Sequence, residues 1–467
     1  MSFAALYAEQ LTHGMTRWSP PPPSAMPNPS LASVLARAFL AGEPSVDQIC
    51  ERGLRALGRD WRWLRRLANR YVAAHETGTR PRHRDVTDFI LSDQEFRRAL
   101  LKYAAKLSIA EWVTEPPRMQ PVAAAALWPV PPIESIADLA DLLSLYPAEL
   151  DWFADLKGLC QSSKASPQLR HYHYRTFTKD SGGLRLIESP KPNLKAVQRR
   201  ILTRILDRIP PHPAAHGFVK GRSIKTFAMP HVGQRVVLRM DLQDFFPTIS
   251  GPRIQAFFRT AGYPEPVADL LGGLCTNATP RDAWTHSFDP ETRTLYARPH
   301  LPQGAPTSPS LANLCAWRMD CRLAGLAKSA GATYTRYADD LAFSGGERFD
   351  RGIERFSTHV AAILQEEGFR VNHHKTRTMR QGARQHLAGL VVNERVNVSR
   401  ADFDLLKATL TNCLRLGPDS QNRDSHPHFR SHLEGRISFV ESVNPDRARL
   451  LRRIFDHILW RPREPLQ

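Results

Sequence analysis

The sequence predicts an α+β protein with helical regions on either side of its strands. Three observations carry that prediction. Between about residues 171 and 392, strand-length apolar or alternating segments interleave with amphipathic helical segments. The regions before and after read as helical, without strands. Turn chemistry such as DSGG and a paired Asp-Asp separates neighbouring strand candidates.

The elements follow in order. A Pro-rich stretch, Ser19 to Ser30, is expected to be a stiff extended linker after a short N-terminal helix. From residue 31 to about 112 the pattern is helical. Leu54, Leu57, Trp61, Leu64 and Leu67 recur at three- or four-residue steps, the core face of a bundle, with arginines between them. These arginines read as a solvated face before they read as a nucleic-acid surface. A second Pro-rich joint, TEPPRMQPVAAAALWPVPP, leads into a helical pair from Ile136 to Leu156, read as packing. HYHYRTFTK and LRLIE then read as two strands around DSGG. His171 and His173 are expected on one strand face, without a carboxylate or cysteine to make a metal site. LKAVQRRILTRILDRI predicts a helix whose apolar face carries Val197, Ile201, Ile205 and Ile209. Residues 395–467 are basic and mainly helical. The domain reading is 1–30 linker, 31–130 helical extension, 131–394 α+β body and 395–467 basic helical end.

Charge narrows the partners. The chain has 467 residues, 64 Lys and Arg against 46 Asp and Glu, and a formal net charge of +18. A protein this basic is expected to meet a polyanion through salt-sensitive contacts, nucleic acid ahead of an anionic membrane surface. No apolar run is long enough for a transmembrane helix, and the N-terminus lacks the form of a secretory signal. Six scattered cysteines without a CxxC pair favour reduced thiols in the cytoplasm and argue against zinc.

Three carboxylates carry the chemistry. RVVLRMDLQDFFPTIS is an apolar strand ending on Asp241, and TYTRYADDLAFSG reads as two strands joined by a turn bearing Asp339 and Asp340. A strand end and a hairpin tip bring residues distant in sequence together. Phosphoryl transfer with two divalent ions needs such oxygen donors, which suit Mg²⁺ where Cys or His would not. Alone, Asp-Asp in a turn is more often a solvated turn. Its company changes that: LPQGAPTSPSLANLC lies between the acidic segments, and GFRVNHHKTR and LAGLVVN follow.

With these five segments in this order, residues 135–440 resemble reverse transcriptases, most closely the retron type of bacteria. The resemblance implies a right-hand polymerase (fingers, palm and short helical thumb) behind a helical N-terminal extension. It implies Asp241, Asp339 and Asp340 as the metal-binding triad, with Leu242 beside them, and Lys375 as a general acid near the leaving pyrophosphate. For the nucleotide it implies Lys179 and Arg185 on the triphosphate, Gln303 at sugar and base, and Asp244, Phe245 and Phe246 around them. Phe246 would exclude a ribose 2′-hydroxyl. Leu387, Ala388, Gly389, Leu390 and Val391 correspond to the primer-gripping hairpin. The implied cofactor is Mg²⁺, with Mn²⁺ as substitute. The implied partners are deoxynucleoside triphosphates, an RNA–DNA hybrid, a structured non-coding RNA serving as template and primer, and an effector protein in antiviral defence, with no membrane.

AAHGFVKGRSI and LVVN carry the retron likeness. Two departures stand beside it. Ala228 and His231 fit the family's Asn-Ala-x-x-His, but Phe227 replaces the Asn, and Leu387-Ala388-Gly389 stands where Val-Thr-Gly is usual. They leave room for another defence-associated reverse transcriptase or a template-independent DNA polymerase. A non-catalytic RNA-binding protein on the same fold would have no use for three clustered carboxylates.

Overall fold

A computed structural model of the chain describes residues 31–75, 81–113, 115–161, 169–178, 184–283 and 288–460. The Pro-rich segment before residue 31 and Lys179 with the DSGG turn lie outside the described residues. The fold forms two compact units. One comprises the described part of Met1–Ala126 with Ile133–Ser135 and Gly262–Glu265; the other holds the rest of the chain.

The first unit is a helical bundle of Leu31–Leu40, Val46–Leu57, Arg62–His75, His83–Ser92 and Gln94–Tyr103. The leucine stripe is not one helix. Gly58 takes a left-handed φ of 65° and caps the first of two helices, so the phase of the stripe resets there. Leu57, Trp61, Leu64 and Leu67 are buried, whereas Leu54 lies on the outer side. Its arginines are largely spent on the unit itself: Arg55 pairs with Glu111 and Glu115, Arg65 with Asp47, and Arg70 with Asp93. Arg52 is buried and donates to the carbonyls of Ala38 and Glu43.

The second unit holds three antiparallel sheets. Strands β1 (Tyr172–Thr178) and β2 (Leu184–Pro190) form a ribbon. His171 precedes β1 and is buried against Trp152 and Phe153, so it does not share the exposed position of His173. The helix Pro192–Arg204 follows, with Val197 and Ile201 on its buried face. It stops short of the expected length, and Ile205 and Ile209, also buried, flank a separate 3-10 turn, Leu206–Arg208. The central sheet has the order β4–β5–β3–β6, from Ala332–Tyr337, Asp340–Gly345, Val236–Asp241 and Arg377–Arg380. β3 is apolar on both faces except at Arg239 and Asp241. The third sheet joins β7 (His386–Leu387), β8 (Leu390–Val391) and β9 (Asn397–Val398). Its Leu387, Leu390 and Val398 share one core with the helices Arg400–Leu416, Phe429–Val443 and Pro445–Asp456. Each such leucine contributes about 1.5–3 kcal/mol by leaving water. Among the described residues no helix is long and apolar enough to cross a membrane.

Candidate active site

The site begins with strand register. Asp241, the last residue of β3, stands directly opposite Asp340, the first of β5. The β4–β5 hairpin closes on two residues, Ala338 and Asp339, with Ala338 at a φ of 55°. The turn is tied to β3 by the Leu242 amide, which donates to the Asp339 carbonyl at 2.9 Å. Three carboxylates from two distant segments therefore meet at one end of the sheet.

A buried network holds that hairpin. Arg336 is fully buried and pairs with the equally buried Asp320 through Nη2 at 2.6 Å and Nε at 2.8 Å. Its Nη1 donates to Asn313 Oδ1 and to the Ala338 carbonyl of the turn. Asn313 in turn donates to the Gly217 carbonyl at 2.8 Å. Gly217 lies so close to the turn that a Cβ there would sit 2.5 Å from the Ala338 nitrogen. The segment AAHGF runs alongside β4, the His216 amide donating to the Arg336 carbonyl at 2.7 Å.

Charge around the carboxylates is arranged in pairs. Asp241 is nearly buried, and Lys375 Nζ lies 3.0 Å from its Oδ2. Residues 370–372 reach this point by running beside β3's end, where the Asn372 amide donates to the Asp241 carbonyl at 2.8 Å. Arg239 shares Asp241's face of β3 and donates to Asp340 Oδ1 through Nε and Nη2, at 2.8 and 2.6 Å. Among the described residues these two cations pair with Asp241 and Asp340 and not with Asp339. Burial, then the charges of Asp241 and Asp340, push its carboxyl up to about 6. Burial also raises Asp340, with Arg239 opposing.

A divalent cation fits this donor set in kind: carboxylate oxygens only, crowded so that their mutual repulsion costs free energy. In the present rotamers Asp241 and Asp340 rest on the protein's own cations. Among the described residues no three His, Cys, Asp or Glu side chains are arranged around one ion.

Shortly after Asp241 the chain carries a group of packed aromatic rings. Asp244 takes a φ of 46° and begins a short helix, Phe245–Thr248. Phe245 is buried against Phe369. Phe246 is half-buried, its ring 6.0 Å from that of Phe218. Gln303 belongs to the loop that packs on β2, its carbonyl accepting from the Glu188 amide at 2.8 Å. Beneath it Glu188 and His300 form a fully buried pair at 2.8 Å, supported by Asn277 and Thr279. Arg185 is exposed on β2, and its charge reaches the Tyr296 ring together with that of Asp244.

Leu387–Val391 forms a hairpin whose two-residue turn is Ala388 and Gly389, both at positive φ, 47° and 83°. Positive φ at both central residues is the signature of a type I′ turn. Phe227 is fully buried against Tyr337 and His231. His231 is fully buried too, with Nδ1 2.7 Å from Ser344 Oγ and Nε2 2.7 Å from Thr335 Oγ1.

Sequence reasoning missed Arg239, Phe218 and the Arg336–Asp320 pair. Arg239 carried a signal, being the one charge within an apolar strand and two residues from Asp241. Asp320, in an ordinary amphipathic helix, carried none.

Residues 177–403 match the family described as reverse transcriptase (RNA-dependent DNA polymerase). The Retron Mx65 reverse transcriptase of Myxococcus xanthus is 43% identical over 293 residues, 62% of this chain and 65% of that protein. The Retron Mx162 reverse transcriptase of the same organism is 37% identical over 332 residues, 68% and 65% of the two chains. The Retron Ec86 reverse transcriptase of Escherichia coli is 30% identical over 285 residues, 60% of this chain and 79% of that protein. The chain thus spans about 65% of the length of the two Myxococcus relatives.

Proposed function

This chain belongs to the retron reverse transcriptase family, and we propose that it is an RNA-directed DNA polymerase with its centre at Asp241, Asp339 and Asp340. The observation that carries the reading is the β3–β5 register, which sets Asp241 opposite Asp340 beside a turn presenting Asp339. Asp241, Asp339, Asp340 and the Leu242 backbone would hold Mg²⁺ ions, which stabilise the attacking hydroxyl and the leaving pyrophosphate.

The chain's own residues supply the rest. Lys375 sits with its ammonium beside Asp241, where a proton for the leaving group is needed. Arg185, with Lys179, meets the triphosphate. Gln303 and Asp244 border the nucleotide, and Phe246 occupies the space a 2′-hydroxyl would need. The hairpin Leu387–Val391 holds the primer end. In this reading the central sheet is the palm, β1–β2 belongs to the fingers, and the three helices after residue 399 form the thumb.

The substrate is one structured non-coding RNA, serving as template and primer, copied in the cytoplasm into a branched RNA-linked single-stranded DNA with a role in antiphage defence. Phe227, the departure from the usual Asn, is part of the core shared with the Leu387–Val391 hairpin and the last three helices.

Extension of oligo(dT) on poly(rA) with dTTP and Mg²⁺ tests the polymerase. The wild-type protein should extend the primer, and Asp339→Asn should lower the rate by at least about a thousandfold. Equal rates overturn the assignment. In cells carrying the gene with its flanking DNA, a short DNA covalently joined to RNA should appear and be lost in Asp340→Asn. Its absence, with polymerase activity intact, removes the retron substrate alone.

A further inference from the structure

We propose that Phe218 contacts substrate, its ring standing beside Phe246 as a second wall against the sugar and base of the incoming deoxynucleoside triphosphate. The inference rests on the polymerase reading above and names a residue that reading does not require.

The backbone is the first observation. Phe218 adopts a φ of 61°, left-handed territory that a bulky side chain enters at a cost. Such strain persists only where the surroundings over-determine it. Here they do. Immediately before it, the Gly217 carbonyl is held by Asn313 and the Gly217 Cα is pressed onto the Ala338 nitrogen. The His216 amide is bonded to β4, and its Nδ1 lies 2.9 Å from Thr226 Oγ1. After it, the Arg222 amide closes a turn onto the Val219 carbonyl. Residue 218 is therefore fixed relative to the turn that carries Asp339.

The side chain is the second observation. A glycine would occupy this backbone without strain. Instead the position carries a phenylalanine that is 48% exposed. Backbone strain opposes folding, and a ring left half exposed forgoes part of the burial that would offset it. The ring packs against Phe246, with centroids 6.0 Å apart and an interplanar angle of 57°. Phe246 lies five residues after Asp241, and in this proposal the open face of Phe218 borders the space a nucleotide at the carboxylates would fill. Covering it with a sugar and base recovers the cost, since aromatic rings take stacking from any base.

The test compares wild type, Phe218→Gly and Phe218→Tyr on oligo(dT)·poly(rA), measuring KM and kcat for dTTP and UTP, with Asp339→Asn as the inactive control. Phe218→Gly should raise KM for dTTP about tenfold and lower the dTTP-over-UTP ratio of kcat/KM several-fold. Its melting temperature should be equal or higher, because strain is relieved. Phe218→Tyr should stay near wild type. Stability lost in parallel with activity would mark a structural role and overturn the inference. So would KM and discrimination within twofold of wild type. A raised Kd for the template–primer with unchanged KM for dTTP would move the ring to the template strand and likewise overturn it. No extension by the wild-type protein removes the polymerase reading and this one together. Extension by wild type with an indifferent Phe218→Gly removes only this one.

Discussion

Replacing His231 with glutamine should make the fold less sensitive to acid, by an amount the structure sets. Burial, with the charge of nearby His216 adding to it, pushes the His231 imidazole down to about 3. In the unfolded chain the same group takes up its proton near the ordinary value, 6.5. Between those values the unfolded state binds more protons than the folded one. The contribution of a neutral His231 is therefore fully present above pH 6.5 and is lost as pH falls toward 3. The loss is about 2 kcal/mol at pH 5 and about 3 kcal/mol at pH 4. Against a typical total of about 5–15 kcal/mol this is a large fraction. The site matters because Ser344 lies on β5 and Thr335 on β4, so a protonated imidazole would loosen the two strands that present Asp339 and Asp340. Glutamine keeps a donor and an acceptor but has no proton to gain. Urea unfolding at pH 7.5 and pH 5.0 should show wild type losing about 2 kcal/mol more than His231→Gln, since other titrating groups are common to both proteins. Equal losses would refute the reasoning.

Phe246→Ala should lower the dTTP-over-UTP ratio of kcat/KM by at least about tenfold; an unmoved ratio would leave Phe246 as packing for Phe245 and Phe218. Asp320→Asn should cost about 3–5 kcal/mol of stability by stranding the buried Arg336 guanidinium. The double variant with Arg336→Met should cost less than the two single changes combined, and strict additivity in thermal unfolding would show that the pair is not a unit.

The strands that carry the carboxylates were legible because each is a local pattern. An apolar run ending on Asp241 and an alternating pair around Asp339 and Asp340 need no distant partner to be recognised. The same holds for the helix from Pro192, whose buried face repeats at helical spacing. The broken stripe at Gly58 was less legible: periodicity continues across the glycine, while the left-handed cap that resets its phase is a backbone event.

What tertiary structure alone decided is which side chains stand against the carboxylates. The β3–β5 register puts Arg239 diagonally across from Asp340, and the return of residues 370–375 along the end of β3 brings Lys375 to Asp241. Phe218 becomes conspicuous only once its φ and its exposed ring are known, because nothing in GFVKG distinguishes a strained aromatic from an ordinary loop residue. Asp320 and Arg336 likewise look like members of two unrelated amphipathic segments until the helix from Trp317 packs on β4 and buries both charges together. Local pattern sets which segments are strands and helices, since period and turn chemistry act within a few residues. Register and packing set the electrostatics of the site, since a charge pair depends on distances between segments that only the folded chain brings together.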